Sequence, residues 1–378
     1  MSNDIVLALP HEPDNPRNTE GSFVTLQDGR VMFAWSRYYG DSWADEATAR
    51  VCARYSSDGG RTWTTEDHVI VENEGKRNVM SVSLLRLQDG RIGLFYLRKN
   101  GVLDCRLHMR TSRDEGETWS KPVACIPAPG YFVVNNDRVI QLSSGRLIAP
   151  AAYHRWTQSV RNCRKNLYRG FDQRAIILFY LSDDRGRTWR EAKDWWAHQE
   201  TPVYLPGQPP WSGLQEPGAV LLRDGRVYGY CRSGNGYQYE MISEDDGETW
   251  SAPKPSPFKS PCSPLSIKRI PSTGDLLAVW NDHSGELAPV PAVKDLELSW
   301  GRTPLVAAIS SNEGKTWTHK KLLESAPNMG YCYTAIHFTE DAALLSYGHG
   351  GGGVDGVLQN QRMRRITLDW LYSEELQQ

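Results

Sequence analysis

Two short stretches of the 378-residue chain gather side chains able to move a proton or hold a polar ligand. The segment Gly-Asp-Ser-Trp-Ala-Asp-Glu-Ala brings Asp41, Asp45 and Glu46 into one loop, three carboxyls of the kind general acid–base chemistry uses. The segment Asn-Asn-Asp-Arg puts Asn135, Asn136, Asp137 and Arg138 at the start of a strand, where they can serve as acids or as sugar ligands. His154 and Trp156 lie in a long insert and suit a glycan subsite or plain packing. Fourteen Trp and seventeen Tyr stand against eight Phe; rings with one packed edge and one polar edge serve sugar binding and sheet packing alike. Neither a metal nor a cofactor is expected. The seven cysteines (Cys52, Cys105, Cys125, Cys163, Cys231, Cys262, Cys332) are scattered, form no CxxC pair and read as buried free thiols. The run Gly-His-Gly-Gly-Gly-Gly at 348–353 lacks the strand and helix of a phosphate loop and reads as a turn near the site.

The elements that must position these groups are repeats. The pattern Ser-x-Asp-x-Gly-x-Thr-Trp occupies residues 56–63 (SSDGGRTW), 112–119 (SRDEGETW), 182–189 (SDDRGRTW) and 243–250 (SEDDGETW). A fifth copy at 310–317 (SSNEGKTW) has Asn312 for the Asp. The acidic or amide side chain bonds nearby backbone amides, the Gly accepts positive φ, and the Trp packs back beneath the turn. Between the copies run six hairpins of alternating apolar residues around tight turns, such as SFVTLQDGRVMFAWS and GAVLLRDGRVYGYC. A plain hairpin followed by a motif-bearing one makes four strands, the blade of a β-propeller. The reading is an all-β, six-bladed propeller using residues 1–378 as one domain. Motif Trp residues 63, 119, 189, 250 and 317 are 56, 70, 61 and 67 apart, well beyond the roughly 40–45 of a WD40 blade. The surplus falls in inserts at 153–172, 195–214 and 283–301, expected on the faces where sites are built. The sixth unit has no motif and is expected to borrow a strand, from residues 5–9 or from 365–370.

Bulk composition excludes several functions. A formal net charge of -2 with 39% apolar and 23% charged residues fits neither disorder nor a basic nucleic-acid surface. No stretch reaches the roughly 20 apolar residues of a membrane span. The start Met-Ser-Asn-Asp-Ile-Val-Leu has no leader character, so a cytoplasmic location is the default expectation, with secretion or a periplasmic location the alternative if a leader has been removed.

The eight-residue motif is identified as the Asp box, and with six blades the chain resembles the exo-α-sialidases over nearly its full length. The resemblance implies an Arg clamp for a sugar carboxylate, a Tyr nucleophile with a Glu base, a separate acid, and a glycan or glycoconjugate substrate. Glu216, heading QEPGAVLLRDGRVYGYCR, and Arg232, closing the same hairpin, match the family's Glu and second Arg. Arg302, before an Asp-box strand, matches the third Arg, and Tyr333 in YCYTAIHF matches the Tyr, preferred to Tyr331. The first blade departs: where sialidases read Arg-Ile-Pro, this chain reads Asn-Pro-Arg-Asn-Thr-Glu-Gly, so Arg17 lies about two residues early and Glu20 falls near the clamp slot. The acid falls to Asp41, Asp45 or Glu46, with Asp45 preferred, and Arg37, Asn136, Asp137 and His154 complete the expected substrate contacts. The competing expectations are a sialidase-fold glycosidase for a different sugar and a glycan-binding propeller without turnover.

Overall fold

A computed structural model describes residues 2–158, 170–197 and 213–374. Cys163 and most of the inserts at 153–172 and 195–214 lie outside the described residues. The chain is all-β, with two short helices, Val293–Ser299 and Leu368–Tyr372, among the described residues. No helix among them is long and apolar enough to cross a membrane.

The strands form six consecutive antiparallel units. The first runs Asn18–Thr25, Val31–Tyr38, Ala49–Ser56, His68–Val71. The fourth and fifth repeat it from Gln215–Leu221 to Lys254–Lys259 and from Ser266–Arg269 to Thr318–Glu324. The second and third share a ten-stranded sheet, because Tyr131–Val133 pairs in parallel with Asp104–Ser112. In the sixth, Met329–Phe338, Ala342–Gly351 and Asn360–Thr367 are completed by Asn3–Leu9, so the N-terminus supplies the borrowed strand. The first strand of the sixth unit lies against that of the first.

The first strands of units one, two, four and six share one irregularity. Register shifts fall between Thr19 and Ser22, Met80 and Ser83, Gln215 and Gly218, and Cys332 and Ala335. Each bulge places a non-glycine residue in left-handed backbone: Glu20 (φ 56°), Ser81 (58°), Glu216 (45°) and Tyr333 (59°). Asp137 (57°) does the same in the third unit, whose first strand is interrupted between Tyr131–Val133 and Ile140–Gln141. Such backbone costs on the order of 1–3 kcal/mol for a non-glycine residue, and bulges re-aim side chains that a regular strand would alternate.

The Asp boxes rivet the outer turns. In the first, the Thr62 N–H and hydroxyl donate to Asp58 at 2.9 and 2.6 Å, and the Gly60 N–H donates to Ser56 Oγ at 2.9 Å. In the fifth, Asn312 Oδ1 accepts from the Thr316 N–H at 2.9 Å. Four of the five boxes also lean on their predecessor: a Cβ at Gly116, Gly186 or Gly247 would strike Met32, Met109 or Ile148 of the preceding unit, and one at Gly60 would strike Leu344 of the sixth.

Gly218, the residue that ends the fourth bulge, has no room for a methyl group. A Cβ there would lie 2.4 Å from Tyr230 Cζ and 2.6 Å from its hydroxyl, which accepts from Arg138 Nη1 and the Ile267 N–H, both at 3.2 Å. Gly218→Ala is expected to cost about 1–3 kcal/mol by overpacking, read as a lower midpoint in urea unfolding.

Candidate active site

Three units deliver one cluster. The bulges of the fourth and sixth aim Glu216 and Tyr333 at each other, and the Tyr333 hydroxyl donates to Glu216 Oε1 at 3.4 Å. Arg232, closing the hairpin that Glu216 opens, meets Glu216 Oε1 at 3.1 Å and donates to Gln215 Oε1 at 2.6 Å. Arg302 enters from the fifth unit, its guanidinium 5.3 Å from the Tyr333 ring centroid and 5.2 Å from that of Trp300. Arg302 Nη1 donates to Cys332 Sγ at 3.0 Å. Burial and the Glu216 charge push the Tyr333 phenol up, with Arg232 and Arg302 only partly offsetting them, so the hydroxyl keeps its proton until a base takes it. Arg232 Nη1 and Arg302 Nε are buried without a hydrogen-bond partner among the described residues. Cationic N–H groups held in that state favour an anion, and a planar fork suits a carboxylate.

Units one and two add a second charged cluster near the first. Arg17 is 1% exposed and divides itself between two carboxylates, Asp45 Oδ1 at 2.6 Å and Glu20 Oε1 at 3.2 Å, with Tyr38 4.8 Å beneath it. Ser81, the bulge residue of unit two, donates a very short hydrogen bond to Glu20 Oε2. Burial pushes Glu20 up, Arg17 and the Ser81 hydrogen bond offset it only in part, and the charges of Asp45 and Glu216 add a smaller upward push. Burial also acts on Asp45, but Arg17 and Lys99 outweigh it and hold that carboxyl at about 2. Arg17 therefore stands at the expected end of the site with its charge already engaged.

The other expected contacts divide. Asn136 donates to the carbonyls of Gly21 (2.8 Å) and Tyr333 (3.2 Å), tying the first and sixth bulges together, and Asn135 Nδ2 reaches Glu216 Oε2 at 3.4 Å. Asp137 is not an open sugar ligand: it is held by Lys268 Nζ and Ser22 Oγ, both at 2.9 Å, and by the Ile336 N–H at 3.0 Å. Arg138 is likewise spent inside the fold, on Tyr230, Ser266 and the Leu265 carbonyl. Arg37 does not join the cluster, since alternation along its strand turns it from Tyr38's side toward Asp67, which it shares with Arg54. Asp41 is exposed, Glu46 half-buried. Tyr331 packs by Tyr347 in the apolar core, separated from Tyr333 by the bulge. Gln215, Ser81, Cys332 and Trp300 touch the site without having been expected there.

His154 is buried, stacked on Phe171 at 4.6 Å, with Nδ1 2.9 Å from the Asp172 carbonyl oxygen. Trp156 bridges to Phe171 and closes over Gly170. Packing accounts for both. Burial pushes His154, His337 and His349 down to about 4, against roughly 6.5 in an unfolded chain. A folded value below the unfolded one gives stability that is complete above about pH 6.5 and declines as pH falls toward the folded value. The melting temperature is expected to drop between pH 7 and pH 5, and His154→Gln to shrink that drop; an unchanged drop counts against His154 as a contributor.

Among the described residues no group of three or more His, Cys, Asp or Glu is placed to hold a metal ion, and the six cysteines there are buried. The BNR repeat-like domain matches residues 29–346. The chain belongs to that family. No curated protein matches it in sequence. Among solved structures, the intramolecular trans-sialidase from Ruminococcus gnavus superposes with a TM-score of 0.69 at 16% identity, over 98% of each chain. A Dyadobacter fermentans protein of unknown function gives 0.67 at 17% identity, over 96% of this chain and 99% of that one. The NanB sialidase of Streptococcus pneumoniae gives 0.66 at 14%, over 97% and 70%. At such identities the likeness is one of fold, and this BNR-family chain has the fold of the sialidases.

Proposed function

We propose that this protein is an exo-glycosidase that removes terminal sialic acid, or a related sugar acid, from glycans with retention of configuration, and that its six units close into a six-bladed β-propeller around the site. The observation that carries the reading is the Tyr333–Glu216 pair at 3.4 Å beside two buried arginines with unpartnered N–H groups. A carboxylate on the anomeric carbon would seat on Arg232 and Arg302. Its charge would repel a carboxylate nucleophile, whereas a neutral phenol can approach and lose its proton to Glu216 as it attacks. The engagement of Arg17 by Glu20 and Asp45 favours, as a second reading, a sugar acid other than sialic acid.

The test is turnover of a fluorogenic α-sialoside and a matching panel of other sugar-acid glycosides by the wild-type protein, with the first-formed anomer read by NMR. Release of the retained anomer is expected. Inertness toward the whole panel, or an inverted product, defeats the proposal.

A further inference from the structure

The geometry points to Glu20 as the general acid of the site, the group that protonates the departing glycosidic oxygen. This rests on the glycosidase reading above and assigns it a residue the sialidase pattern does not supply. Glu20 occupies, in the first unit, the same left-handed bulge position that Glu216 and Tyr333 hold in the fourth and sixth. It is slightly more buried than they are, at 4% exposure against 6% and 9%. Asn136 reaches the carbonyls of Gly21 and Tyr333 with one amide, which holds the two bulges side by side.

Charge counting separates Glu20 from Asp45. One guanidinium, Arg17, serves both carboxyls, and its shorter contact is to Asp45, whose side chain is 46% exposed. The hydrated, better-paired carboxyl keeps its charge, and burial biases the other toward its protonated form. Facing Glu20 are Arg17, Tyr38 and Asp45 from unit one, Ser81 and Cys105 from unit two, Tyr131 from unit three, and Glu216 and Tyr333 from units four and six. Burial and the two neighbouring carboxylates raise Glu20, while Asp45 at about 2 has no proton to give near neutrality. In the first step the bond from the anomeric carbon to the leaving oxygen breaks, its electron pair staying on that oxygen, which takes the Glu20 proton. Tyr333 Oη bonds to the carbon and its proton goes to Glu216. In the second, the Glu20 carboxylate takes a proton from water, the water oxygen replaces Tyr333 on the carbon, and Glu216 returns its proton to the phenol.

The experiment compares kcat/KM for sialyllactose and for the 4-nitrophenyl sialoside, whose leaving group departs without protonation, in wild type, Glu20→Gln and Asp45→Asn. E20Q is expected to lose about 10²- to 10⁴-fold on sialyllactose and less than about tenfold on the aryl glycoside, because only the first needs the acid. D45N should not discriminate between them and should shift the alkaline limb of the sialyllactose profile to lower pH by removing a neighbouring charge. Ser81→Ala, which keeps Glu20 but takes away a hydrogen bond to its ionised form, should shift that limb to higher pH and serves even if E20Q does not fold. Equal losses by E20Q on both substrates, discrimination by D45N, or an unmoved limb in S81A overturn the assignment. Wild-type inertness on both sialosides moves the comparison to the alkyl and 4-nitrophenyl glycosides of whichever sugar acid the panel above shows to be turned over, and inertness toward the whole panel overturns the assignment together with the glycosidase reading.

Discussion

Tyr333→Phe is expected to lower kcat/KM on the sugar-acid glycoside by about 10³-fold or more while leaving the melting temperature nearly unchanged. The magnitude follows from deleting both the covalent route and the proton transfer to Glu216, the latter alone contributing roughly 10²–10⁴-fold in enzymes of this kind. The stability claim follows from what the substitution keeps. The ring stays beside Leu358 and Cys332 and under the Arg302 guanidinium, and Glu216 keeps its ion pair with Arg232. Tyr331→Phe is the control, since Tyr331 faces the core against Tyr347 and should leave turnover alone. Turnover of wild-type size in Y333F removes Tyr333 as the nucleophile; loss in Y331F to the same extent removes the distinction between them.

The scaffold is legible in the sequence because its signals are local. An Asp box is a closed set of hydrogen bonds within eight residues, and an Asp-Gly turn between alternating strands specifies its hairpin without help from the rest of the chain. The borrowed strand is half legible: both termini carry suitable apolar alternation, and only pairing between Asn3–Leu9 and Asn360–Thr367 decides. The site is legible where place along a hairpin fixes it, since Glu216 and Tyr333 open their hairpins and Arg232 closes one, although it takes the bulges to turn Glu216 and Tyr333 toward each other. It is poorly legible where a side chain's direction depends on a bulge, because one extra residue reverses the face of everything before it. Asp137, at a break in its strand, and Arg37, on a regular strand, depart from expectation because charges beside strands find ion-pair partners elsewhere in the fold, as Lys268 and Asp67 show, and sequence does not display such partners. The bulges themselves do leave a trace in the spacing. Glu20, Ser81 and Glu216 each precede by eight residues the Asp of their Asp-Gly turn, at 28, 89 and 224, and Tyr333 precedes Asp341 by the same interval. Counting back from the turns gathers all four bulge residues from the order of amino acids alone.

Arg302→Met is expected to cost about 10²- to 10³-fold in kcat/KM on a sugar acid and only a few-fold on its methyl ester. Arg302 is the sharper probe of the clamp because its removal breaks no ion pair among the described residues: its guanidinium lies between the rings of Trp300 and Tyr333 and donates to a thiol. The apolar Met fills that sandwich without burying a charge. Arg232→Met, by contrast, strands Glu216 in the interior without its cation, a change that typically costs about 3–5 kcal/mol of stability and would confuse lost folding with lost recognition. The size for R302M comes from deleting one partner of a desolvated charged pair, roughly 2–5 kcal/mol, which at about 1.4 kcal/mol per factor of ten spans the stated range. Esterification removes the same pairing from the ligand side. The two losses should therefore not add, and a double-mutant cycle of R302M against the ester should return most of the single-change energy as coupling. If R302M loses as much on the ester as on the acid, Arg302 supports Tyr333 through its ring face alone, and the carboxylate clamp reduces to Arg232.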